Sequence, residues 1–163
     1  MENPTIIIKR PKDCAKSELQ KFEQLVVEGG QVKPDGLDEK VRGCMFLAFC
    51  FVGNELASVA ALKNKAREYV ESLYDKTGTS NKEDLPLIEI GYCFTNHHHR
   101  GKKYNSLLVD SLLQKAKGKL VFATTGNPIM KSFFEKRGFQ KVGNPYDGVY
   151  NKDIILYIKN TKV

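Results

Sequence analysis

The chain lacks the features that would place it in a membrane, around a metal or in a disulfide framework. Its longest apolar run, Met45 to Val52, is far shorter than the roughly 20 residues that cross a bilayer. Its four cysteines form no CxxC pair, so neither a zinc site nor a disulfide framework is indicated. No basic leader followed by an apolar stretch opens the sequence, so we expect no secretory signal. These features predict a cytoplasmic protein.

The composition is that of an ordinary globular domain. The 163 residues are 41% hydrophobic and 28% charged, which argues against disorder and predicts one domain over residues 1–163. The formal net charge is +7, from 26 Lys and Arg against 19 Asp and Glu. Because the basic residues are spread along the chain, charge alone does not choose between a nucleic acid, a membrane and a phosphorylated cofactor as the partner.

Hydrophobic periodicity predicts strands that alternate with helices. The pair Ser17 and Gln20 resembles a capping box at the first helix, and Gly53-Asn54 is typical of a hairpin turn. Asn127 is a good N-cap for a later helix. The predicted order is β, α, α, β, β, an inserted helix over 66–75, then β, α, β, α, β, β. This order predicts an α/β fold with helices on both faces of the sheet.

The segment 87–108 carries the most informative pattern. Its apolar strand runs into a short basic loop with Gly101, and the loop opens directly into a helix. This arrangement gathers unpaired backbone N–H groups and the positive end of a helix dipole at one point. Such a point binds phosphate, and Arg100, Lys102 and Lys103 add positive charge. An ordinary strand-to-helix connection with solvated lysines is the alternative interpretation.

This segment resembles the pyrophosphate loop of the GNAT superfamily of N-acetyltransferases. That loop has the form Arg/Gln-x-x-Gly-x-Gly/Ala, and Arg100 to Asn105 occupies it in register. A second landmark of the family, an Asn followed by an aromatic and Glu-Lys-x-Gly-Phe pattern, is matched by Asn127 and residues 133–139. The element order is also similar along the whole chain. The resemblance implies a single α/β domain with a mixed, splayed sheet, acetyl-CoA as co-substrate and no metal.

The resemblance also implies which residues bind acetyl-CoA. The strand backbone at Cys93, Phe94 and Thr95 would hydrogen-bond the pantetheine arm, and Asn127 and Phe134 would contact the cofactor. The pyrophosphate cradle would comprise Arg100, Gly101, Lys102, Lys103, Tyr104, Asn105 and Ser106.

Three positions depart from the family pattern. Lys103 and Asn105 replace glycines that would let the backbone approach the pyrophosphate closely. Their side chains must therefore point away from the phosphates or contact them, which predicts weakened or remodelled binding rather than none. Phe134 stands where many members carry a tyrosine that protonates the leaving thiolate, and phenylalanine cannot donate that proton.

Glu89 is the candidate general base. It lies in an otherwise uncharged strand, eleven residues before Arg100. The histone-acetylating branch of the family has its catalytic glutamate at this distance from the loop, together with phenylalanine at the position of Phe134. An apolar environment favours proton uptake by a carboxylate, which suits the removal of a proton from an acceptor ammonium group. The alternative is a structural glutamate that pairs with a lysine or lies at a strand edge.

Cys93 and the run His97-His98-His99 invite other chemistry. No His and Asp pair is visible to activate Cys93, so we interpret Cys93, like Cys50, as a buried thiol rather than a nucleophile. Three successive histidines do not converge easily on one ion, and no acidic or cysteine partner lies at ligand spacing. We expect these histidines to line the mouth of the phosphate site.

The sequence therefore predicts direct acetyl transfer from acetyl-CoA to an amine of a small molecule or a protein. Two alternatives stay open at this stage. One is a CoA-binding protein of the same fold without turnover, because the loop is altered and the tyrosine is missing. The other is a basic nucleic-acid-binding module, which the net charge favours but which lacks interleaved exposed aromatics and a reading motif. In this superfamily segments 14–44 and 64–84 usually shape the acceptor side, but neither identifies the amine, and both a monomer and a homodimer fit.

Overall fold

The computed structural model describes residues 3–162, which form seven strands and five α-helices. The strands are β1 (Thr5–Lys9), β2 (Phe46–Val52), β3 (Glu55–Asn64), β4 (Ile88–Thr95), β5 (Leu120–Thr125), β6 (Gln140–Tyr146) and β7 (Ile154–Asn160). The helices are α1 (Lys16–Glu28), α2 (Leu37–Arg42), α3 (Arg67–Thr77), α4 (Tyr104–Lys115) and α5 (Pro128–Lys136). Short 3-10 helices cover Pro11–Asp13 and His97–His99. No helix in this range is both long and apolar enough to cross a membrane.

The chain divides into two compact units. The first comprises the residues up to Asn64 together with Ile90–Lys115, and the second comprises Lys65–Glu89 and the residues from Ala116 onward. Strand β4 contributes its first two residues to the second unit and the others to the first.

The sheet of the first unit has the order β1-β2-β3-β4, with β1 and β3 antiparallel to β2. Because side chains alternate along a strand, residues such as Phe49 and Val59 lie on one face and their neighbours on the other. Helix α1 packs on the Phe49 face, where the Phe22 and Phe49 rings meet edge to face at 5.5 Å. Helix α4 covers the opposite face, where the Lys115 ammonium lies 5.3 Å from the centre of the Phe46 ring.

The second unit has the strand order β4-β5-β7-β6. Ile88 and Glu89 of β4 pair in parallel with β5, whereas β5 and β6 pair antiparallel with β7. Helix α3 packs on the face that carries Phe122 and Leu156. Helix α5 covers the opposite face, where the rings of Phe134 and Tyr157 lie 6.0 Å apart. The predicted α/β class, with a mixed sheet and helices on both faces, is confirmed.

Local signals at helix starts succeeded in one case and failed in another. Asn127 caps α5 as predicted, because its Oδ1 accepts the Ile129 N–H at 2.9 Å. The capping box predicted at Ser17 and Gln20 is wrong, since α1 begins at Lys16. Instead, Glu18 Oε1 accepts the backbone N–H of Ala15 at 2.7 Å. Lys9 of strand β1 also pairs with this carboxylate, since its ammonium lies 3.0 Å from Glu18.

Glu18→Gln should lower stability in a pH-dependent way. The Ala15 N–H, and then the Lys9 ammonium, hold the pKa of Glu18 below its ordinary value of 4.5. A carboxyl whose folded-state pKa is lowered contributes stability above 4.5 and loses it as the pH falls through the folded-state pKa. Glutamine keeps an acceptor for the Ala15 N–H but loses the charge, so we expect urea unfolding at neutral pH to show a loss of about 1 kcal/mol. The gap between the two proteins should close in acid, and a gap that is independent of pH would contradict this role.

Candidate active site

The inner part of β4 has an unusual backbone at Tyr92. Its φ is 53°, a left-handed value that bulky residues rarely adopt, and it falls inside a strand. The ring is buried against Phe22, with ring centres 6.2 Å apart, and the Lys63 ammonium lies 3.6 Å from the ring centre. Strained backbone of this kind persists only where its surroundings hold it. The break in strand geometry comes directly before the residues predicted to meet the pantetheine arm.

Those three residues, Cys93, Phe94 and Thr95, end β4 and are all partly buried. The Phe94 ring packs against α1 at Gly29, where even a single added Cβ atom would collide with it. The Cys93 thiol lies 3.7 Å from the Gly91 carbonyl oxygen. Cys50 is fully buried as predicted, but Cys93 is only partly so, because the strand end is less covered.

The loop predicted to hold the pyrophosphate lies in the first unit, and its residues 100–103 are exposed. Gly101 has φ 81° and Lys103 has φ 62°, so the lysine adopts the left-handed conformation that glycine favours. Helix α4 starts at Tyr104, and the first-turn N–H groups of an α-helix have no acceptor within the helix. A helix N-terminus and three exposed basic residues thus lie within one short solvent-facing segment, which suits phosphate oxygens.

Asn105 points away from the exposed loop. Its Nδ2 donates to Ser58 Oγ at 2.9 Å and to the Val59 carbonyl at 2.8 Å, both in β3. The sequence allowed this side chain either to point away from the proposed phosphate position or to contact the phosphates. The structure shows that it points away from the exposed loop. Ser106 follows it in the first turn of α4.

The three histidines form a short 3-10 helix rather than an open loop. Asn96 begins it, since its Oδ1 accepts the His98 N–H at 3.1 Å. His99 is buried, with Nε2 3.3 Å from Glu55 Oε2. His97 and His98 are exposed, and their rings are tilted against each other with centres 3.9 Å apart. Within residues 3–162, no three His, Cys, Asp or Glu side chains come together as a metal-binding group.

Glu89 lies in the second unit and is only 6% exposed. It pairs with Phe122 of β5, so its side chain shares the face of Phe122 and Thr124 that helix α3 covers. Two phenols lie near it on this face, Tyr69 of α3 and Tyr146 of β6. Burial first, and then the negative charge of Glu89, raise the pKa of both phenols. Glu89 is therefore a buried carboxyl group, and the two phenol hydroxyl groups beside it stay protonated.

The opposite face of the second unit holds Phe134. The ring is 3% exposed and packs against Phe139 at 5.1 Å and Tyr157 at 6.0 Å. Burial first, and then the Glu135 carboxylate, raise the pKa of Tyr157 to about 12, and its hydroxyl donates to Glu135 Oε2 at 3.2 Å. Phe134 is thus a core residue, and the phenol beside it is already engaged.

Sequence reasoning missed Ser58, Tyr69 and Tyr146. A lone hydroxyl in the apolar strand β3 was a usable signal for Ser58, because a buried hydroxyl needs partners. Tyr69 and Tyr146 gave no such signal, since only the strand register and the placement of α3 bring them to Glu89.

Comparisons with known proteins give one family match and several similar folds. The model of the acetyltransferase (GNAT) family matches residues 18–139. The chain is similar to Escherichia coli ElaA, with a TM-score of 0.72 and 17% identity over 97% of this chain and 100% of that one. It is also similar to Arabidopsis thaliana NAA60 in complex with acetyl-CoA, with a TM-score of 0.70 and 14% identity over 98% and 100% of the two chains.

A third similar structure is FeeM, an N-acyl amino acid synthase from uncultured soil microbes, with a TM-score of 0.69 and 14% identity over 99% and 92% of the two chains. At these identities the likeness shows the fold alone. No curated protein matches the sequence.

Lys103→Gly should stabilise the protein, because glycine adopts φ 62° without the steric cost that a lysine bears. We expect a gain of about 1 kcal/mol in the free energy of unfolding, measured by urea denaturation. Lys102→Gly is the matched control, since Lys102 is not in the left-handed region and should gain nothing. Equal effects of the two changes would show that the backbone at Lys103 is unstrained.

Proposed function

This chain belongs to the acetyltransferase (GNAT) family, and we propose that it transfers the acetyl group of acetyl-CoA directly to an amine. The observation that supports this proposal is that α4 starts at Tyr104, directly after the exposed basic residues 100–103 that match the family's pyrophosphate loop in sequence. We further propose a single domain over residues 1–163 that works in the cytoplasm.

The cradle suits the pyrophosphate of acetyl-CoA. Its first-turn N–H groups are donors without helical acceptors, and Arg100, Lys102 and Lys103 supply charge. The backbone of Cys93 to Thr95 would bind the pantetheine arm. Asn127 completes the proposed set, and it keeps its amide N–H group available after Oδ1 has capped α5. Phe134, which the resemblance also named, is 3% exposed and is kept as a core residue.

Glu89 is the proposed general base. An acceptor amine arrives as an ammonium ion at neutral pH and must lose a proton before its nitrogen can attack a carbonyl carbon. Glu89 takes that proton, directly or through a water molecule. The nitrogen then bonds the acetyl carbon as the bond to sulfur breaks, and a backbone N–H near Cys93 polarises the carbonyl. CoA leaves as a thiolate, and the second amine proton reaches that sulfur through solvent. Acyl transfer from a thioester needs no metal for these steps.

The phenols beside Glu89 support its assignment as the base. The pKa of both Tyr69 and Tyr146 is raised, so neither phenol loses its proton near neutral pH and neither can take one from an ammonium group. As protonated hydroxyl groups, they can donate or accept a hydrogen bond but cannot act as a base. Of these three groups, the carboxylate is therefore the one that can accept the amine proton.

Acetyl-CoA should raise the melting temperature, because a ligand that binds only the folded state stabilises it. The double change Arg100→Glu and Lys102→Glu should remove most of this shift, since it places negative charge at the cradle. Lys117→Glu with Lys119→Glu is the matched control, because both lysines are exposed and lie outside the cradle. Shifts of equal size in the two variants would refute the cradle assignment.

Glu89→Gln should lower kcat by roughly 100-fold, the usual worth of a general base, while acetyl-CoA affinity stays near the wild-type value. Glutamine keeps the shape of the side chain but cannot take a proton from the amine. The defect should shrink at high pH, where more of the acceptor is already neutral. Steady-state kinetics across pH, with acetyl-CoA affinity from calorimetry, measure both quantities.

Cys93→Ala is the control from the same strand, and we expect its turnover to stay within about tenfold of wild type, because the proposed reaction has no thiol nucleophile. Near-normal kcat in Glu89→Gln at neutral pH would make Glu89 structural. A trapped acetyl-enzyme that Cys93→Ala abolishes would replace direct transfer with a covalent route.

A further inference from the structure

Residues 94–105 form the segment that carries the cradle. Both ends of this segment are hydrogen-bonded to strand β3. At its start, the Asn96 N–H donates to the Ala57 carbonyl at 2.8 Å. At its end, the Asn105 amide donates to the Val59 carbonyl at 2.8 Å. These two carbonyls are two residues apart, so both ends of the segment are fixed at one short stretch of β3. A loop closed in this way has less conformational freedom to lose when it binds a ligand.

Ser58 lies between those two carbonyls, and its hydroxyl joins the two ends of the segment. The residue is 0% exposed. At the start of the segment, Ser58 Oγ lies 3.1 Å from the Phe94 carbonyl oxygen and 2.9 Å from Thr95 Oγ1. At the end, it lies 2.9 Å from Asn105 Nδ2.

The chemistry of the partners fixes the direction of each hydrogen bond. The Val59 carbonyl can only accept, so the Asn105 atom that meets both it and Ser58 is the amide nitrogen, which donates to both. The Phe94 carbonyl also can only accept, so Ser58 gives its one proton there. Thr95 must then donate to Ser58 Oγ. The Ser58 hydroxyl thus uses its donor and both of its acceptor sites within this network.

We propose that Ser58 is a positioning residue of the acetyl-CoA site, which with Asn105 holds the cradle in its phosphate-binding shape before the ligand arrives. The proposal rests on the proposed function, because that function makes acetyl-CoA the ligand of the cradle. We call the hydrogen bonds that join Phe94 and Thr95 to Asn105 through Ser58 the clasp. Asn105 stands where the family motif has glycine, so this departure from the motif supplies one half of the clasp. Lys103 supports the same view, since its left-handed backbone lies between the clasped ends and needs surroundings that hold it.

Ser58→Ala tests the clasp, because alanine fits the space and removes all three hydrogen bonds. We expect the cradle to open more often and the acetyl-CoA Kd, measured by calorimetry, to rise about tenfold. Trypsin cuts after Arg100, Lys102 and Lys103, so limited proteolysis reports on the cradle without any ligand. Fragments that end at these residues, identified by mass spectrometry, should appear several-fold faster than from wild type.

Thr77→Val is the matched control. Thr77 is also 0% exposed, and its hydroxyl lies 3.2 Å from the Tyr74 carbonyl oxygen and 2.8 Å from Thr79 Oγ1 in the second unit. Loss of the Thr77 hydroxyl should lower the melting temperature. Trypsin cleavage at the cradle and the acetyl-CoA Kd should both stay unchanged. Asn105→Ala removes the other half of the clasp and serves if Ser58→Ala does not fold. In the double variant, the effects on Kd should be less than additive, because the two residues share a hydrogen bond.

Cradle cleavage and Kd equal to wild type in a destabilised Ser58→Ala would overturn the proposal, since Ser58 would then contribute to stability alone. A wild-type protein that binds no acetyl-CoA would instead refute the proposed function. In that case the cleavage measurement still decides on the clasp, and equal cleavage of wild type and Ser58→Ala would count against it.

Discussion

One buried hydroxyl in β3 needs hydrogen-bond partners, and this need shapes the segment that carries the proposed phosphate cradle. Ser58 lies among apolar side chains of β3, where an unpaired hydroxyl costs free energy and a fully paired one does not. Its partners are the Phe94 carbonyl, the Thr95 hydroxyl and the Asn105 amide, which come from both sides of the cradle. Once these three are fixed, the start of α4 is fixed as well. The helix N–H groups and the basic loop are then held toward solvent.

A second constraint is the strand register that determines where Glu89 points. Side chains alternate along β4, so a slip by one residue would move Glu89 to the face that carries Tyr157 and α5. The observed pairing with Phe122 places it on the face of α3, beside Tyr69 and Tyr146. Helix α3 belongs to the inserted segment between β3 and β4, so this insertion supplies part of the surroundings of the proposed base.

Much of the fold could be predicted from local sequence patterns. The hairpin turn at Gly53-Asn54, the Asn127 cap and the strand-loop-helix order around Gly101 all arise from neighbouring residues. The start of α1 could not be predicted, because Lys9 in β1 favours Glu18 as the residue that closes the helix end. Contacts between segments distant in sequence are invisible to periodicity.

The candidate site also has some features that local sequence patterns predict and others that depend on tertiary contacts. The basic loop and the candidate base were visible as residue types at a given spacing. The direction of the Asn105 side chain and the role of Ser58 were not, since they depend on β3 meeting α4. The positions of Tyr69 and Tyr146 beside Glu89 depend on strand register and on a helix that only the tertiary fold brings there. Short-range patterns thus indicated the candidate residues, and long-range packing set their geometry.

Acetyl transfer to an amine can be measured directly with wild-type protein and acetyl-CoA. The amines should span peptide N-termini, lysine side chains, polyamines and free amino acids. Release of the CoA thiol is followed over time, and mass spectrometry identifies the product. We predict CoA release well above the uncatalysed rate with at least one class of amine, matched by a product that carries one acetyl group on nitrogen. Tight binding of acetyl-CoA without CoA release or product across all four classes would contradict transfer and point to a CoA-binding protein.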